Sequence, residues 1–479
     1  MKPYWIIIIG IFAAFLISSP FAFAAGSDYV VVVSKQTQAD PKWSRISDTL
    51  CKKHKGAVIA FESNIEEILS QCQQIFPRYI CFIARPAEAT REFVQQIHQW
   101  TRRIDEDPYA DCFWGILTGY DSSSALRIAE HAEPLIVSKV AGGTEFAIDK
   151  CAEGVWYSEL DKGKGVRKEK GGTAEPILGP DDSTEALVKT LTEFKADCFI
   201  TSGHATERDW QIGYRYRNGS FRCRGGVLYG LDTEGKEYPI QSPNPKVYMA
   251  VGNCLMGHID GSDAMALAFM NSAGINQMIG YTVNSWYGYM GWGCLDYFLE
   301  QPGRYTFTEA FFANQAALIH RLTTYFPEKE QTRTDGAEPL RGSIIISPEA
   351  KKAGLTANDA RGLLYDRDTV AFYGDPAWEA RMARADTAWE QILTEHNGSW
   401  TFEIKPNLGE KTFEPVNRNG SQRGGRPIIQ FFPRRMKNFR LREGAELKPV
   451  FCEDFILVPN PRICNQDTRF RVVFSAELF

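Results

Sequence analysis

Between residues 29 and 104, short apolar runs alternate with amphipathic helical segments, and this alternation constrains the fold more than any other feature. Continuous β-branched runs are typical of strands buried on both faces of a sheet. The predicted strands are Tyr29–Ser34, Ala57–Phe61 and 79–84, and the predicted helices are 42–54, 65–76 and 88–104. Strands that alternate with helices lie parallel, with helices on both faces. The sequence therefore predicts an α/β fold with a doubly wound, mostly parallel sheet.

The same alternation continues to residue 373, with one long interruption. The further predicted strands are 112–118, 135–138, 197–204, 246–254, 277–282 and 369–373, and the predicted helices are 123–131, 184–194, 263–270, 291–300 and 307–322. Residues 140–183 lose the periodic pattern and contain glycine- and lysine-rich runs. Unpatterned segments of that length are usually functional loops or insertions. We therefore predict a long loop there.

From about residue 397 the chain changes to short alternating runs separated by Asn, Gly and Pro. That spacing predicts a small antiparallel β-sandwich. A chain of 479 residues is expected to form two or three domains. We predict an N-terminal α/β subdomain at 26–139, a second subdomain at 140–385 and the sandwich at 395–479.

The first 25 residues are typical of a signal peptide. Lys2 precedes an apolar run at 6–17, and Ala22-Phe23-Ala24 matches a cleavage signal. The run is shorter than the roughly 20 residues of a membrane span, and no other stretch is long and apolar enough. We expect an exported protein, secreted or located in the periplasm or cell envelope, whose mature chain has no integral membrane segment. The alternative is that the apolar run stays uncleaved as an anchor.

Net charge and cysteine content exclude two classes of protein. A formal charge of −5 argues against nucleic acid as the main partner, because no basic excess is present to neutralise phosphates. The 11 cysteines are scattered along the chain, unlike those of a disulfide scaffold. Their odd number leaves at least one thiol unpaired if the others pair within the chain. Cys452 and Cys464 are close enough in sequence to form one bridge.

Two of the apolar runs are followed directly by residues whose side chains can take part in catalysis. One ends in Ser202-Gly203 before His204, and the other ends in Gly252-Asn253 before Cys254. Catalytic groups collect at the carboxyl ends of parallel strands. An imidazole in that position can take the proton of a thiol and so create the nucleophilic thiolate.

Other interpretations of these residues stay open. Most cysteines at strand ends are buried and behave as small hydrophobes. His258, four residues after Cys254, competes with His204 as the base. On a helix that spacing suits a metal pair better than a catalytic dyad, but no second such pair lies nearby. The acids at 105–107 have the composition of a turn, and a calcium site is the alternative.

Several segments resemble the gingipain family of cysteine peptidases. The similarity covers roughly 79–380, and the segments that carry it are 201–207 with Trp210 behind it, Asn253-Cys254, 282–286 and 372–377. The resemblance implies a caspase-like fold, with the catalytic histidine and cysteine on adjacent parallel strands in 140–385. It also implies an immunoglobulin-like domain after the catalytic region, which agrees with the β-rich tail.

The resemblance also implies roles for individual residues. Cys254 attacks the scissile carbonyl, and His204 activates the thiol or protonates the leaving amine. The backbone N–H groups of Cys254 and of the Gly203 to Ala205 segment are candidate oxyanion donors. Trp286 and Trp210 are expected to line the cleft, with a position in the core as the alternative for each of them. Glu207 is expected to orient the site, with a surface charge and a calcium ligand as alternatives.

Departures from the family pattern affect these expectations. Ala205 stands where the family has glycine, and Asn253 stands where it has alanine. The pocket acid of the arginine-specific members falls in the region matching 140–151, where it is Glu145, Asp149 or missing. The basic segment 214–226 follows the histidine and is expected to reshape the cleft.

We therefore predict an exported cysteine endopeptidase that acts on proteins or peptides, requires no cofactor and leaves room for calcium. The first alternative is a non-catalytic module of the same fold for envelope binding or assembly. The second is a transpeptidase that uses the same Cys254 and His204 pair.

Overall fold

In the computed structural model, which describes residues 28–329, 332, 338–339, 341–417, 419–420 and 423–479, a twelve-stranded sheet runs through the centre of the molecule. The predicted signal peptide, residues 1–25, lies outside the described residues. Among the described residues, no helix combines the length and the apolar character needed to cross a membrane.

The amino-terminal part of the chain forms the first four strands of this sheet. Its elements are β1 (Tyr29–Ser34), α1 (Lys35–Gln38), α2 (Pro41–His54), β2 (Ala57–Phe61), α3 (Leu69–Ile75), β3 (Tyr79–Ile83), α4 (Arg91–Thr101), β4 (Phe113–Leu117) and α5 (Ser122–Glu130). The order β2-β1-β3-β4 is parallel throughout. Residues 30–33 are completely buried, as expected for a strand with helices on both faces.

The middle of the chain completes the sheet. Its elements are β5 (Leu135–Val137), β6 (Lys139–Gly142), β7 (Glu153–Tyr157), β8 (Lys164–Lys168), β9 (Ala174–Leu178), α6 (Thr184–Thr192), β10 (Cys198–Gly203), β11 (Asp209–Gln211), β12 (Ser220–Arg224), β13 (Val227–Leu231), β14 (Glu237–Ile240), β15 (Lys246–Asn253), α7 (Met265–Ser272), β16 (Ile275–Tyr281), α8 (Tyr289–Phe298), α9 (Phe307–Tyr325), α10 (Pro348–Lys352), α11 (Ala357–Asp366), β17 (Val370–Tyr373) and β18 (Ala380–Met382). From β4 the order continues β17-β16-β15-β10-β6-β7-β8-β9.

The sheet has two halves that run in opposite directions. β17 is parallel to β4 and antiparallel to β16, whereas β16, β15, β10, β6 and β7 are mutually parallel. The expected mixed α/β architecture with a mostly parallel sheet is therefore confirmed. The carboxyl ends of β16, β15, β10, β6 and β7 meet at one edge, which we call the carboxyl edge.

One local prediction is wrong. Residues 140–183, predicted as a loop, contain the four strands β6 to β9. β8 and β9 form an antiparallel hairpin at the outer end of the sheet, where both strands are largely exposed and carry no long apolar run. The strand predicted at 135–138 is present as β5, which pairs with β18 outside the main sheet.

The basic segment after the histidine is part of a separate four-stranded sheet. β11, β12, β13 and β14 pair antiparallel in that order beside α6 and α7. Arg222 and Arg224 are exposed on β12. Arg224 is paired with Glu237 of β14 at 2.8 Å, so part of the basic charge is neutralised within the sheet.

The carboxyl-terminal residues form two antiparallel sheets that share a second apolar core. Their strands are β19 (Trp389–His396), β20 (Ser399–Pro406), β21 (Ile428–Phe431), β22 (Met436–Glu443), β23 (Val450–Phe451), β24 (Phe455–Val458) and β25 (Phe470–Leu478). The sheet orders are β19-β20-β25-β22 and β21-β24-β23. Phe402 and Phe474 from one sheet pack with Ile428 and Ile456 from the other.

The cysteines of the described chain are all unpaired, including Cys452 and Cys464. The bridge suggested by their closeness in sequence is therefore absent. Cys452 is buried in the main core, whereas Cys464 is buried in the second core. The two side chains pack on different bodies of apolar residues.

Buried ion pairs fix the carboxyl-terminal sheets to the α/β part. Asp296 of α8 accepts hydrogen bonds from Nε of Arg423 and from Nε of Arg426, each at 2.6 Å. All three side chains are less than a tenth exposed. α8 packs on β15, so these contacts support the strand that directly precedes Cys254.

A second buried carboxylate, Asp375, joins three amino-terminal residues to the segment after β17. Its oxygens accept hydrogen bonds from the Tyr29 hydroxyl at 2.9 Å and from Nε2 of His54 at 2.7 Å, and Nζ of Lys53 lies 2.8 Å away. Burial alone would raise the pKa of Asp375. The His54 hydrogen bond and the Lys53 charge outweigh burial and hold that pKa well below its ordinary value.

We expect D375N to lower the free energy of unfolding at pH 7 by about 3 kcal/mol, because the amide leaves the buried Lys53 without its counter-charge. A carboxyl with a lowered folded pKa adds stability above its unfolded pKa of about 3.9 and loses it as the pH falls toward the folded value. The difference from wild type should therefore shrink below about pH 4. Urea unfolding at several pH values measures it.

The matched control is E62Q, which breaks the exposed Lys35–Glu62 pair and should cost less than about 1 kcal/mol. Equal urea midpoints for D375N and wild type at pH 7 would show that Asp375 is not a stabilising contact.

Candidate active site

The two predicted strand ends lie next to each other at the carboxyl edge. β10 and β15 are neighbouring parallel strands, and Gly203 at the end of β10 is opposite Asn253 at the end of β15. The next residue on each strand is His204 and Cys254, respectively. The fold therefore brings the imidazole-bearing and thiol-bearing residues to adjacent positions.

A β-bulge creates this alignment. Thr201 is opposite Ala250, but Ser202 is opposite Gly252, so Val251 is an extra residue on β15. Without the bulge, the thiol would be level with the residue after the histidine and would face the other side of the sheet.

Helix α8 is shaped to fit the bulge. Gly291 lies directly against the Val251 carbonyl, and a Cβ at this position would overlap that oxygen. Only a glycine allows the helix backbone to approach so closely.

The His204 ring is held from one side by an aromatic neighbour. Its centroid lies 4.6 Å from that of Tyr214, with 31° between the ring planes. The Tyr214 N–H donates to the Glu159 carbonyl at 2.7 Å, and the His204 carbonyl accepts from the Gln211 N–H at 2.9 Å. The segment after the histidine thus folds back, leaving His204 itself exposed.

Ser285 contacts the half-buried thiol of Cys254. Its N–H donates to Sγ at 3.3 Å, and its Oγ lies 3.6 Å from Sγ. The same hydroxyl donates to the Gly252 carbonyl at 3.0 Å, which fixes its position. An N–H aimed at sulfur stabilises negative charge there. Sequence reasoning included Ser285 in a family segment but assigned it no role.

The backbone next to the histidine differs between the two candidate oxyanion residues. Gly203 has a φ of 101°, whereas Ala205 is not among the described residues with positive φ. Ala205 forms a bridge with Trp210 whose hydrogen bonds are donated by Gln211 and Thr206. The N–H of Ala205 is not used in that bridge, so alanine is tolerated here without loss of the candidate donor.

The two tryptophans occupy different environments. Trp286 follows Ser285 and is 61% exposed, so it is accessible at the carboxyl edge. Trp210 is completely buried, and its Nε1 donates to the Ser202 carbonyl at 2.8 Å. The expectation that Trp210 lines the cleft is therefore wrong. It supports the end of β10 from within the core.

The three predicted acids also differ in position. Glu145 lies at the carboxyl edge but is paired with Lys164 at 2.7 Å. Asp149 is exposed and precedes the start of β7, which places it at the opposite edge of the sheet. Glu207 is half-buried, and its carbonyl accepts from the Met265 N–H at 2.8 Å.

Sequence reasoning missed a further acid, Glu159, which follows β7 at the carboxyl edge. It is 3% exposed, and its Oε1 accepts from the Thr144 hydroxyl at 2.6 Å. Its Oε2 has no hydrogen-bond partner within the described part of the chain. Burial raises the pKa of Glu159. The position of Glu159 at a strand end could not be predicted from the sequence, because β7 lies in the region predicted as a loop.

A separate carboxylate cluster could hold a cation. Asp105, Asp107 and Glu453 bring oxygen atoms within 4.8 Å of one another, and calcium prefers such ligands. The Asp105 side chain accepts from the Asp107 N–H at 2.8 Å, and Asp107 accepts from the Tyr109 N–H at 2.7 Å. These are the hydrogen bonds of the turn that the sequence predicts.

Comparison with known proteins gives one distant structural likeness. No family model matches the chain, and no curated protein matches it. A solved structure described as "Structure of Protease" matches with a TM-score of 0.40 and 8% identity, over 94% of this chain and 97% of that chain. A likeness this distant does not establish a family or an activity.

The positive φ of Gly203 yields a testable prediction. In G203A the new Cβ would meet only ordinary contacts, so its effect is backbone strain of about 1–2 kcal/mol. We expect G203A to slow alkylation of Cys254 by iodoacetamide, because relief of the strain rotates the peptide before His204. Peptide-resolved mass spectrometry measures the rate.

The control is G171A, since Gly171 also has a positive φ of 76° with nothing within 4 Å of the new Cβ. It should lose similar stability while keeping the wild-type alkylation rate. An unchanged rate in G203A would show that this φ does not position the histidine.

Proposed function

We propose that this protein is a cysteine endopeptidase with Cys254 as the nucleophile and His204 as its acid–base partner. The observation that carries the proposal is the bulged register of β10 and β15, which sets the two residues side by side. Each follows a buried strand, so their backbones are held rigidly. Cysteine nucleophiles require such an imidazole neighbour.

The proposed reaction has two steps. His204 takes the thiol proton, the sulfur attacks the peptide carbonyl, and the protonated imidazole then gives that proton to the leaving amine. A thioester on Cys254 remains. Water attacks it, His204 accepts a proton from the water, and the carboxylic acid product leaves as the thiol is restored.

Neighbouring groups have roles in these steps. The N–H groups of Cys254 and Ala205 stabilise the oxyanion of each tetrahedral intermediate. The Ser285 N–H stabilises the thiolate before attack and after release. Trp286 offers an exposed apolar wall to the substrate next to the thiol.

We further propose that the chain is gingipain-like, with a caspase-like catalytic region at 140–385 and an immunoglobulin-like domain at 395–479. The ordered sequence segments and the two antiparallel sheets support this. An amino-terminal signal peptide would direct the protein to the cell envelope or outside it. No cofactor takes part in the reaction, and calcium would act only through acidic clusters such as that of Asp105.

A labelling experiment tests the dyad. We expect peptidyl chloromethyl ketones with varied P1 residues to modify Cys254 faster than any of the other ten cysteines. H204A should label roughly 100-fold more slowly, the lower range for loss of an acid–base group. Intact mass and peptide mapping measure the rates. H258A, in the turn after Cys254, serves as control and should label at the wild-type rate.

Two results would contradict the proposal: an unmodified Cys254, or H204A that labels as fast as wild type. Either would favour a non-catalytic module, for which the contact of the tilted Tyr214 ring with His204 is the specific structural argument. Once a cleaved peptide is found, an added amine acceptor separates hydrolysis from transpeptidation. The carboxylic acid product is expected to dominate.

A further inference from the structure

A chain of buried hydrogen bonds lies directly beneath the candidate dyad. Nδ2 of Asn253 donates to the Gly203 carbonyl at 3.1 Å. Oδ1 of Asn253 accepts from the Thr201 hydroxyl at 2.6 Å, and that hydroxyl lies 2.8 Å from the Tyr248 hydroxyl. Asn253, Thr201 and Tyr248 are completely buried.

The chemistry of the groups determines the direction of each bond. A carbonyl only accepts, so the Gly203 carbonyl requires the NH₂ side of the Asn253 amide. The amide oxygen then faces Thr201, whose single hydroxyl proton must go to it. The Tyr248 hydroxyl consequently donates to Thr201. Each member has its partner, and the network has one arrangement.

The Asn253 side chain connects its own residue, which precedes Cys254, to Gly203, which precedes His204. Asn253 is bonded through its backbone to Cys254, and its side chain holds the carbonyl of Gly203, the residue before His204. The φ of 101° at Gly203 belongs to a residue with wide backbone freedom. A hydrogen bond to its carbonyl removes the freedom of the peptide plane that leads into the histidine.

We propose that Asn253 is a positioning residue that sets the distance and orientation between His204 and Cys254 by clamping the Gly203 carbonyl. The inference rests on the proposed function, since it assigns a role within that dyad. The bulge brings the two strand ends level, and the amide holds them there. Alanine, which the resembling family has at this position, cannot make either hydrogen bond.

The test separates positioning from general support of the core. The probe is iodoacetamide, and the readout is the rate of alkylation of Cys254 against pH. An isolated thiol reacts well only near and above its ordinary pKa of about 8.5, whereas an imidazole-paired thiol also reacts near pH 6. Loss of the pairing therefore slows the reaction at pH 6 and leaves it unchanged at pH 10, while global loosening speeds it at both.

The main variant is N253A, for which we expect alkylation about tenfold slower at pH 6 and unchanged at pH 10. T201V leaves the clamp on Gly203 but removes the donor that orients the amide, and it should give a smaller change of the same kind. T201S keeps the hydroxyl and should restore the wild-type profile. T201V also keeps the inference testable if N253A does not fold.

The matched control is Q277A. Gln277 is a completely buried amide on β16 whose Nε2 donates to the carbonyls of Asp375 and Trp378. It pairs with Val247 near the start of β15, roughly 20 Å along the strand from Asn253. Q277A should destabilise the fold while keeping the wild-type pH profile.

Two other titratable residues, Tyr365 near the thiol and His258 four residues after Cys254, keep their wild-type identity in every variant of this test. H204A is measured in parallel. If H204A changes the profile and N253A and T201V do not, the positioning role is wrong and the dyad stands. If H204A leaves the profile unchanged, the dyad is wrong and the inference falls with it. A change in Q277A equal to that in N253A would also overturn the inference.

Discussion

The register between β10 and β15 is the constraint on which the candidate site depends. Parallel strands exchange evenly spaced hydrogen bonds, so a single extra residue, Val251, moves everything beyond it by one position. That shift sets Gly203 opposite Asn253 and so makes the strand ends before His204 and Cys254 level. The glycine at 291 lets α8 pack directly on the bulge, so the surrounding core supports this register.

Buried charges hold the frame around this register. Asp296 binds Arg423 and Arg426 and so fixes the carboxyl-terminal sheets to α8. Asp375 ties Lys53 to the segment after β17, close to the junction where the two halves of the sheet reverse direction. A buried charge is costly unless it is paired, so these contacts tolerate few alternative arrangements.

The parts that could be predicted from the sequence are those with strong local patterns. Buried strands such as β1 can be predicted because each is a continuous apolar run. The strand ends before His204 and Cys254 can be predicted because such a run stops abruptly there. The exposed hairpin strands β8 and β9 were missed because they carry no such run. The short buried strands β6 and β7 were missed with them, and so was Glu159, which follows β7. Trp210 was assigned to the cleft through the family resemblance, and its sequence signal did not correct this because aromatic residues look alike in a core and on a surface.

The sequence by itself determined which residues end the strands and the alternation that forces a mostly parallel sheet, because both follow from local apolar patterning. Only the tertiary structure decided that Cys254 is level with His204, since a bulge depends on pairing between segments 50 residues apart. It also decided that the amide of Asn253 reaches the Gly203 carbonyl. Contacts of that kind are set by packing across strands, and no local pattern in a single chain records them.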